Sequence, residues 1–375
     1  MAGIYIHVPF CKLACHYCNF HFSTSLSTKN DFIAALLKEI SLQQPYLQGE
    51  QVDTIYFGGG TPSLLQTGEI DNILNTLSNT FTIDSAAEIT LEANPDDLEA
   101  EKLHSLKRAG INRLSIGVQS FFEEDLRWMN RAHNASQSIA CIQEAQAAGF
   151  FNLTIDLIYG LPALTDEKWH RNVQQAIDLN IPHLSCYALT VEPKTALDHF
   201  IRTKQFTDVD ADQQARQFLL LMDWTEAAGY EHYEISNFAR PGQRSRHNTA
   251  YWLGKKYLGL GPSAHSFNGA SRQWNIANNA RYIQSIKQGI IPFEIETLTP
   301  TQQMNEYIMT SLRTMEGLSA QYAATHFGND AMDAIMKASV KHLDAGNMLW
   351  DGERLRLTRA GKLLADGIAA ELFVI

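Results

Sequence analysis

The sequence predicts an α/β protein: an open, barrel-like array of parallel βα units followed by a smaller α+β domain. Three observations carry this. Short β-branched and aromatic runs alternate with amphipathic stretches through the first half of the chain, the pattern of βαβ units on a parallel sheet. Chemistry-bearing residues fall at or just after the ends of those runs, where such folds place their sites. After about residue 205 the alternation stops, and beyond residue 299 helical patterns precede two short strand-like runs.

The elements follow in order. Strand candidates begin at Gly3 (GIYIHV), Val52 (VDTIYF), Glu88 (EITLEA), Asn112 (NRLSIG), Asn152 (NLTIDL) and His183 (HLSCYAL). Stretches 31–44 and 136–148 between them are helical in pattern. Six such units make a partial (β/α)6 barrel rather than a complete eight-stranded one. A helix-like stretch, 210–228, leads into a Gly- and aromatic-rich segment, 230–274. Runs 346–350 and 354–358 read as a hairpin behind helices, so a winged-helix-like C-terminal domain is expected. Pro300 marks its start. The chain then divides into a barrel core (1–205), a barrel extension (206–298) and the C-terminal domain (299–375).

Composition narrows the function classes. The chain has 375 residues, 45% of them hydrophobic, enough for a large core. A net charge of −11 argues against phosphate-backbone binding. Nucleic acid is therefore not an expected partner, and the winged-helix-like domain is expected to pack or cover rather than to bind DNA. No apolar run approaches the roughly 18 residues that span a bilayer. The chain enters its first strand without a basic-then-apolar leader, and its five cysteines are sparse. A cytoplasmic, reducing location is expected.

Three of those cysteines crowd one loop, Cys11, Cys15 and Cys18, spaced C-x3-C-x2-C. Three thiolates suit three irons of a [4Fe–4S] cluster and leave the fourth iron without a protein ligand; an electron-transfer ferredoxin fills all four positions. The open iron can take a small chelating molecule. Zinc is the competing reading, with His16 or His21 completing a set, but zinc favours paired C-x2-4-C arrangements. Cys141 and Cys186 lie apart and read as buried, inert thiols.

This spacing resembles the signature of the radical SAM superfamily, in which the amino and carboxylate groups of S-adenosylmethionine (SAM) chelate the open iron. The resemblance runs over roughly the first 200 residues. The glycines of Phe57-Gly58-Gly59-Gly60-Thr61-Pro62 permit a sharp turn and a close backbone approach to a ligand. By the resemblance this is the GGGTP element that holds the SAM amino group. Glu92, ending the third strand, is a carboxylate able to accept from a ribose or an amino group. Asn94 and Asp96 behind it read as a turn leading into a helix. Gln119, Arg131 and Asp156 follow at or behind later strand ends. With Tyr5, they match residue by residue the SAM pocket of the radical SAM coproporphyrinogen dehydrogenase group. The same resemblance adds Tyr17 and Ala188 as SAM contacts.

One more motif selects the branch. His247-Asn248-Thr249-Ala250-Tyr251-Trp252 resembles the HNxxYW signature of the HemW-type heme chaperones, as do the flanking segments 233–239 and 259–265. A histidine can ligate heme iron, aromatics can stack on the macrocycle, and arginine can pair with propionates. The residues alone equally permit a buried His and Trp that fix a loop. The resemblance implies heme at His247, Tyr251 and Trp252, with Arg244 or Arg246 for the propionates. Phe20 stands where decarboxylating relatives carry another Cys, and the arm before the first strand is shorter than theirs. The implied protein is a heme chaperone that binds heme, a [4Fe–4S] cluster and SAM and passes heme to an acceptor protein. An electron donor such as flavodoxin or ferredoxin is implied with it. The alternative is an oxygen-independent coproporphyrinogen III oxidase working by radical SAM chemistry.

Overall fold

The protein is described by a computed structural model covering residues 2–374. Six strands run parallel and neighbour one another in chain order: β1 (Ala2–Val8), β2 (Val52–Gly59), β3 (Ile83–Ala93), β4 (Arg113–Gln119), β5 (Leu153–Tyr159) and β6 (His183–Ala188). The crossovers carry α1 (Lys29–Leu42), α2 (Thr67–Thr80), α3 (Ala100–Arg108), α4 (Glu123–Trp128), α5 (Ala135–Ala147) and α6 (Asp166–Asp178). All six strand candidates and both helical stretches read from this part of the sequence are present.

Side chains alternate across the strands. Ile4, Ile6, Ile55, Phe57, Leu114 and Ile116 are fully buried in the main core. The interleaved positions, rich in polar residues, aromatics and glycine, turn to the other face. Tyr56, Glu92, Arg113, Thr154, Asp156 and Tyr187 together line a small interior cavity, so strands β2 to β6 curl around one centre.

After α7 (Ala196–Arg202) and α8 (Ala211–Ala227), one stretch of chain extends the sheet at both edges. β7 (Glu231–Glu234) and β8 (Asn237–Ala239) add beyond β6. The chain then passes through α9 (Arg246–Trp252) and lays β9 (Tyr257–Leu260) parallel to β1 on the far edge. β10 (His265–Phe267), β11 (Ser271–Asn275) and β12 (Phe293–Thr297) continue antiparallel, with α10 (Asn279–Lys287) packed on α1. The sheet has 12 strands in all. α9 closes the end of the barrel where the strands begin. The Glu88 carboxylate accepts from the backbone N–H groups of Arg246 and His247 at 3.1 and 3.0 Å. Ser245 and Asn248 reach the interior cavity.

The C-terminal part begins with α11 (Pro300–Leu312). Thr299 and Gln302 form a capping box, and Pro300 occupies the first turn, where its missing N–H costs nothing. β13 (Leu318–Ser319), α12 (Ala320–Phe327), α13 (Asn329–Asp344), β14 (Met348–Trp350) and β15 (Arg354–Leu357) follow. The strands form an antiparallel sheet ordered β13-β15-β14 around a separate core of Ile308, Leu312, Ile335 and Leu355. Helices with a small antiparallel sheet are the expected architecture. Arg313 docks this unit on the barrel through Glu234, a carboxylate only 1% exposed, at 3.2 Å. No helix among the described residues is long and apolar enough to cross a membrane.

Candidate functional site

A cavity of about 420 Å³ opens where the parallel strands end. The loop after β1 brings Cys11, Cys15 and Cys18 to its wall, with Tyr17 between them. The loop is closed at its base by the Cys11 N–H donating to the Ser23 carbonyl at 3.0 Å. It is tied to the next strand end by Thr61 N–H to Phe10 O, 2.6 Å, and Gly60 N–H to Val8 O, 2.9 Å. That crossing requires glycine. A Cβ on Gly60 would lie 2.5 Å from the Phe10 carbonyl oxygen, and Gly59 has φ +104° with His7 beside it.

The thiols are half-buried and unpaired with one another. Burial pushes the Cys11 thiol up to about 11, against a hydrogen bond from Thr61, and raises Cys18 as well. Such thiols stay protonated until a metal displaces the proton. Among the described residues no three His, Cys, Asp or Glu side chains converge closely enough to hold a single metal ion. The two histidines that would complete a zinc set are engaged elsewhere. His16 Nδ1 meets the Trp128 carbonyl and His21 Nε2 meets Asn279 Oδ1, each at 2.7 Å.

Two carboxyl groups face the cavity from β3 and β5. Glu92 accepts from the Tyr56 hydroxyl at 2.7 Å and from the Gly59 N–H at 3.2 Å. Burial nevertheless raises its pKa to about 7, and burial raises Asp156 to about 7 in the same way. Arg131 spans the wall between loop and barrel. Its Nη1 lies 3.2 Å from Cys15 Sγ, and its Nη2 donates to Asn94 Oδ1 at 2.6 Å and to the Gly117 carbonyl at 2.9 Å. Gln119 holds φ +67° where the β4–β5 register breaks, and its side chain joins the wall. Backbone held in that region by its surroundings is typical of ligand sites. Gly59, Gly60, Thr61 and Ala188 complete the expected set on this wall. Tyr5 is the exception: it packs beneath, stacked on Tyr56 at 6.1 Å.

The motif on α9 lies at the opposite end. His247 is 2% exposed. Its Nδ1 bonds Thr54 Oγ1 and its Nε2 bonds the Tyr251 hydroxyl, both at 2.8 Å, while Tyr56 stacks on the ring. Burial lowers its pKa to about 3. In this conformation neither ring nitrogen is free for an iron. Trp252 lies under the Arg313 guanidinium at 5.3 Å and so helps seat the C-terminal domain. Arg244 pairs with Glu231 and Glu316, and Arg246 donates to the Ala86 carbonyl.

Two family models match the chain: the radical SAM superfamily over residues 5–176 and the HemN C-terminal domain over residues 298–364. The chain is 33% identical over 372 residues, 98% of both chains, to a protein of Bacillus subtilis named heme chaperone HemW. It is 34% identical over 376 residues to the Mycobacterium tuberculosis protein of that name, covering 99% of this chain and 94% of the relative. This chain belongs to the HemW family. Among solved structures it superposes on coproporphyrinogen III oxidase (HemN) of Escherichia coli, a radical SAM enzyme. The TM-score is 0.86 at 25% identity, covering 100% of this chain and 90% of the other.

The HemW-family cavity fits the groups its superfamily implies. Arg131 Nε is buried without a partner, Glu92 and Asp156 bring two raised carboxyls to the wall, and Gly59 and Gly60 line it. Cys11, Cys15 and Cys18 are the residues that would hold a cluster. Glu92, Asp156, Gln119 and the Gly59–Thr61 turn are those that would hold SAM. Two residues escaped the sequence reading. Asn94, read as a turn residue, stands on the wall and accepts from Arg131. Tyr56 orients Glu92; the strict alternation of β2, which sets it on the same face as Gly58, was the signal available. Asp96 is at the turn as read, where it holds Lys12 of the cysteine loop at 2.7 Å.

Proposed function

We propose that this chain is a heme chaperone: it binds heme, carries a [4Fe–4S] cluster with SAM at its open iron, and hands heme to an acceptor protein. The observation that carries this is the similarity to heme chaperones along essentially the whole chain. The cluster is assigned to Cys11, Cys15 and Cys18, and SAM to the cavity beside them. When bound, the cluster and SAM together supply one-electron chemistry. The protein's part is to orient SAM through Glu92, Asp156 and the glycine turn, to hold a cation against Cys15 through Arg131, and to limit water. A cytoplasmic location and a flavodoxin- or ferredoxin-type electron donor belong to this proposal.

Phe20 supports the chaperone over the oxidase. It lies on the cavity wall, 67% exposed, where decarboxylating relatives are expected to carry a further cysteine. The close superposition on HemN favours the second reading, oxidation of coproporphyrinogen III. One experiment separates them. Anaerobically reconstituted protein is assayed for hemin binding, and for turnover of coproporphyrinogen III with SAM and a strong reductant. Hemin binding without turnover is expected. Sustained protoporphyrinogen formation would establish the oxidase instead.

A further inference from the structure

A second cavity, of about 610 Å³, opens at the end of the barrel where the strands begin, on the outward face of α9. Arg244, Arg246 and Lys255 stand around it in a chain of net charge −11. Arg244 is committed to Glu231 and Glu316. Arg246 touches only a backbone carbonyl through its guanidinium, and neither it nor Lys255 has a carboxylate partner among the described residues. Asp53 is the acidic wall residue outside the Arg244 pairing. The apolar part of the wall comes from Ala2, Ala250 and Leu253, the last 61% exposed. Thr249 contributes a buried hydroxyl oxygen with no hydrogen-bond partner.

Uncompensated cations beside an apolar wall recognise an amphipathic anion, and a volume of this size lies in the range of sites that enclose an organic ligand. A small inorganic anion has no use for the apolar wall. A porphyrin dipropionate uses both parts: carboxylates pair with the cations and the macrocycle covers the alkyl groups. We propose that this cavity is the heme dock, with the propionates toward Arg246 and Lys255 and the macrocycle against Ala250 and Leu253. The inference rests on the heme-chaperone reading and gives the heme a place. α9 then works on two faces. Its inner face, through His247 and Tyr251, anchors the helix in the barrel; its outer face receives the cargo. Heme and SAM occupy opposite ends of one barrel and do not compete for space.

The test uses the full chain, cluster reconstituted, titrated with hemin. Arg246→Glu/Lys255→Glu and, separately, Leu253→Asp should each weaken hemin binding at least tenfold, with cluster absorption and SAM affinity unchanged at the far end. Lys337→Glu, on α13, is the charge control and should bind hemin as wild type does. Hemin should also slow amine labelling of Lys255 in the unmodified protein, a readout independent of how the variants fold. Hemin affinity within twofold of wild type in both variants, or Lys255 labelling indifferent to hemin, would overturn the dock and leave the chaperone reading intact. A wild-type chain that does not bind hemin would instead remove the chaperone reading itself.

Discussion

The ring of Tyr56 lies over the imidazole of His247, with centroids 4.9 Å apart and planes 21° from parallel. The hydroxyl of the same tyrosine donates to Glu92 at 2.7 Å. One strand residue thus connects the carboxylate assigned to SAM with the helix that closes the other end of the barrel. Each of the two ends has its own consequence for mutation and pH.

At the closing helix, His247→Ala should act on stability before it acts on heme. The variant strands Thr54 Oγ1 and the Tyr251 hydroxyl, and a buried polar group left unpaired costs about 1–3 kcal/mol. Urea unfolding of the cluster-free chain should show a loss of that order for each group. The hemin spectrum of the folded variant should match wild type. A changed spectrum with unchanged stability would make His247 a ligand.

Acid should weaken the fold through the same residue. Burial holds His247 at about 3, while an unfolded histidine titrates near 6.5. Between those values the unfolded chain binds the extra proton, so this contribution is whole above about 6.5 and is lost as pH falls toward 3. Burial also lowers His7 and His133 to about 4 and His232 to about 3. Denaturant midpoints measured from pH 7 to pH 5 should fall, and His247→Gln should fall less steeply. Parallel curves for the two proteins would contradict the assignment.

The SAM end has the opposite sign. Burial raises Glu92 and Asp156 to about 7, above their unfolded values, so the stability they contribute is whole below about 4 and is lost as pH rises through about 7. A ligand that brings hydrogen-bond donors is held best by the ionised groups. SAM affinity of the reconstituted protein should therefore rise between pH 6 and pH 8. Glu92→Gln should flatten that rise and weaken binding by about 1–3 kcal/mol. Calorimetric titration at three pH values checks both, and a dissociation constant independent of pH in wild type would remove the carboxylates from the role.

The cluster assignment separates the cysteines. Cys11→Ala, Cys15→Ala and Cys18→Ala should each lose bound iron and the visible absorption after anaerobic reconstitution. Cys141 and Cys186, 3% and 1% exposed within the main core, should be replaceable by Ala with the cluster retained. Arg131→Ala should retain the cluster but lower its reduction potential, because a cation 3.2 Å from Cys15 Sγ favours the more negative reduced state. Redox titration followed by electron paramagnetic resonance reads the direction; an unchanged or raised potential would count against that role for Arg131.

Much of this was legible without coordinates. The strands were readable because each carries a dense β-branched and aromatic run between turn residues. Cys11, Gly59 and Glu92 fall at or just after strand ends, and a parallel sheet delivers those ends to one side; Asp156, in the middle of β5, joins them through the resemblance alone. Asn94 stands at the turn the sequence implies, and its place on the cavity wall is hidden because an Asn-Pro-Asp turn has the same sequence whether it faces solvent or a cavity. Only Arg131, reaching across from behind α4, decides that.

What the sequence by itself determined is the parallel barrel and the cysteine loop, since these rest on local pattern and spacing; the family branch came from the resemblance of the HNxxYW segment. What only the tertiary structure decided lies in 231–297, where the chain adds strands to both edges of the sheet and drives α9 between them. The direction in which His247 points is set by Thr54, 193 residues away, and the cap on its helix by Glu88, 159 residues away. The HNxxYW segment reads the same with its histidine facing a ligand or facing the barrel. Burial and two distant hydrogen-bond partners turn it inward, and no pattern within the segment records them.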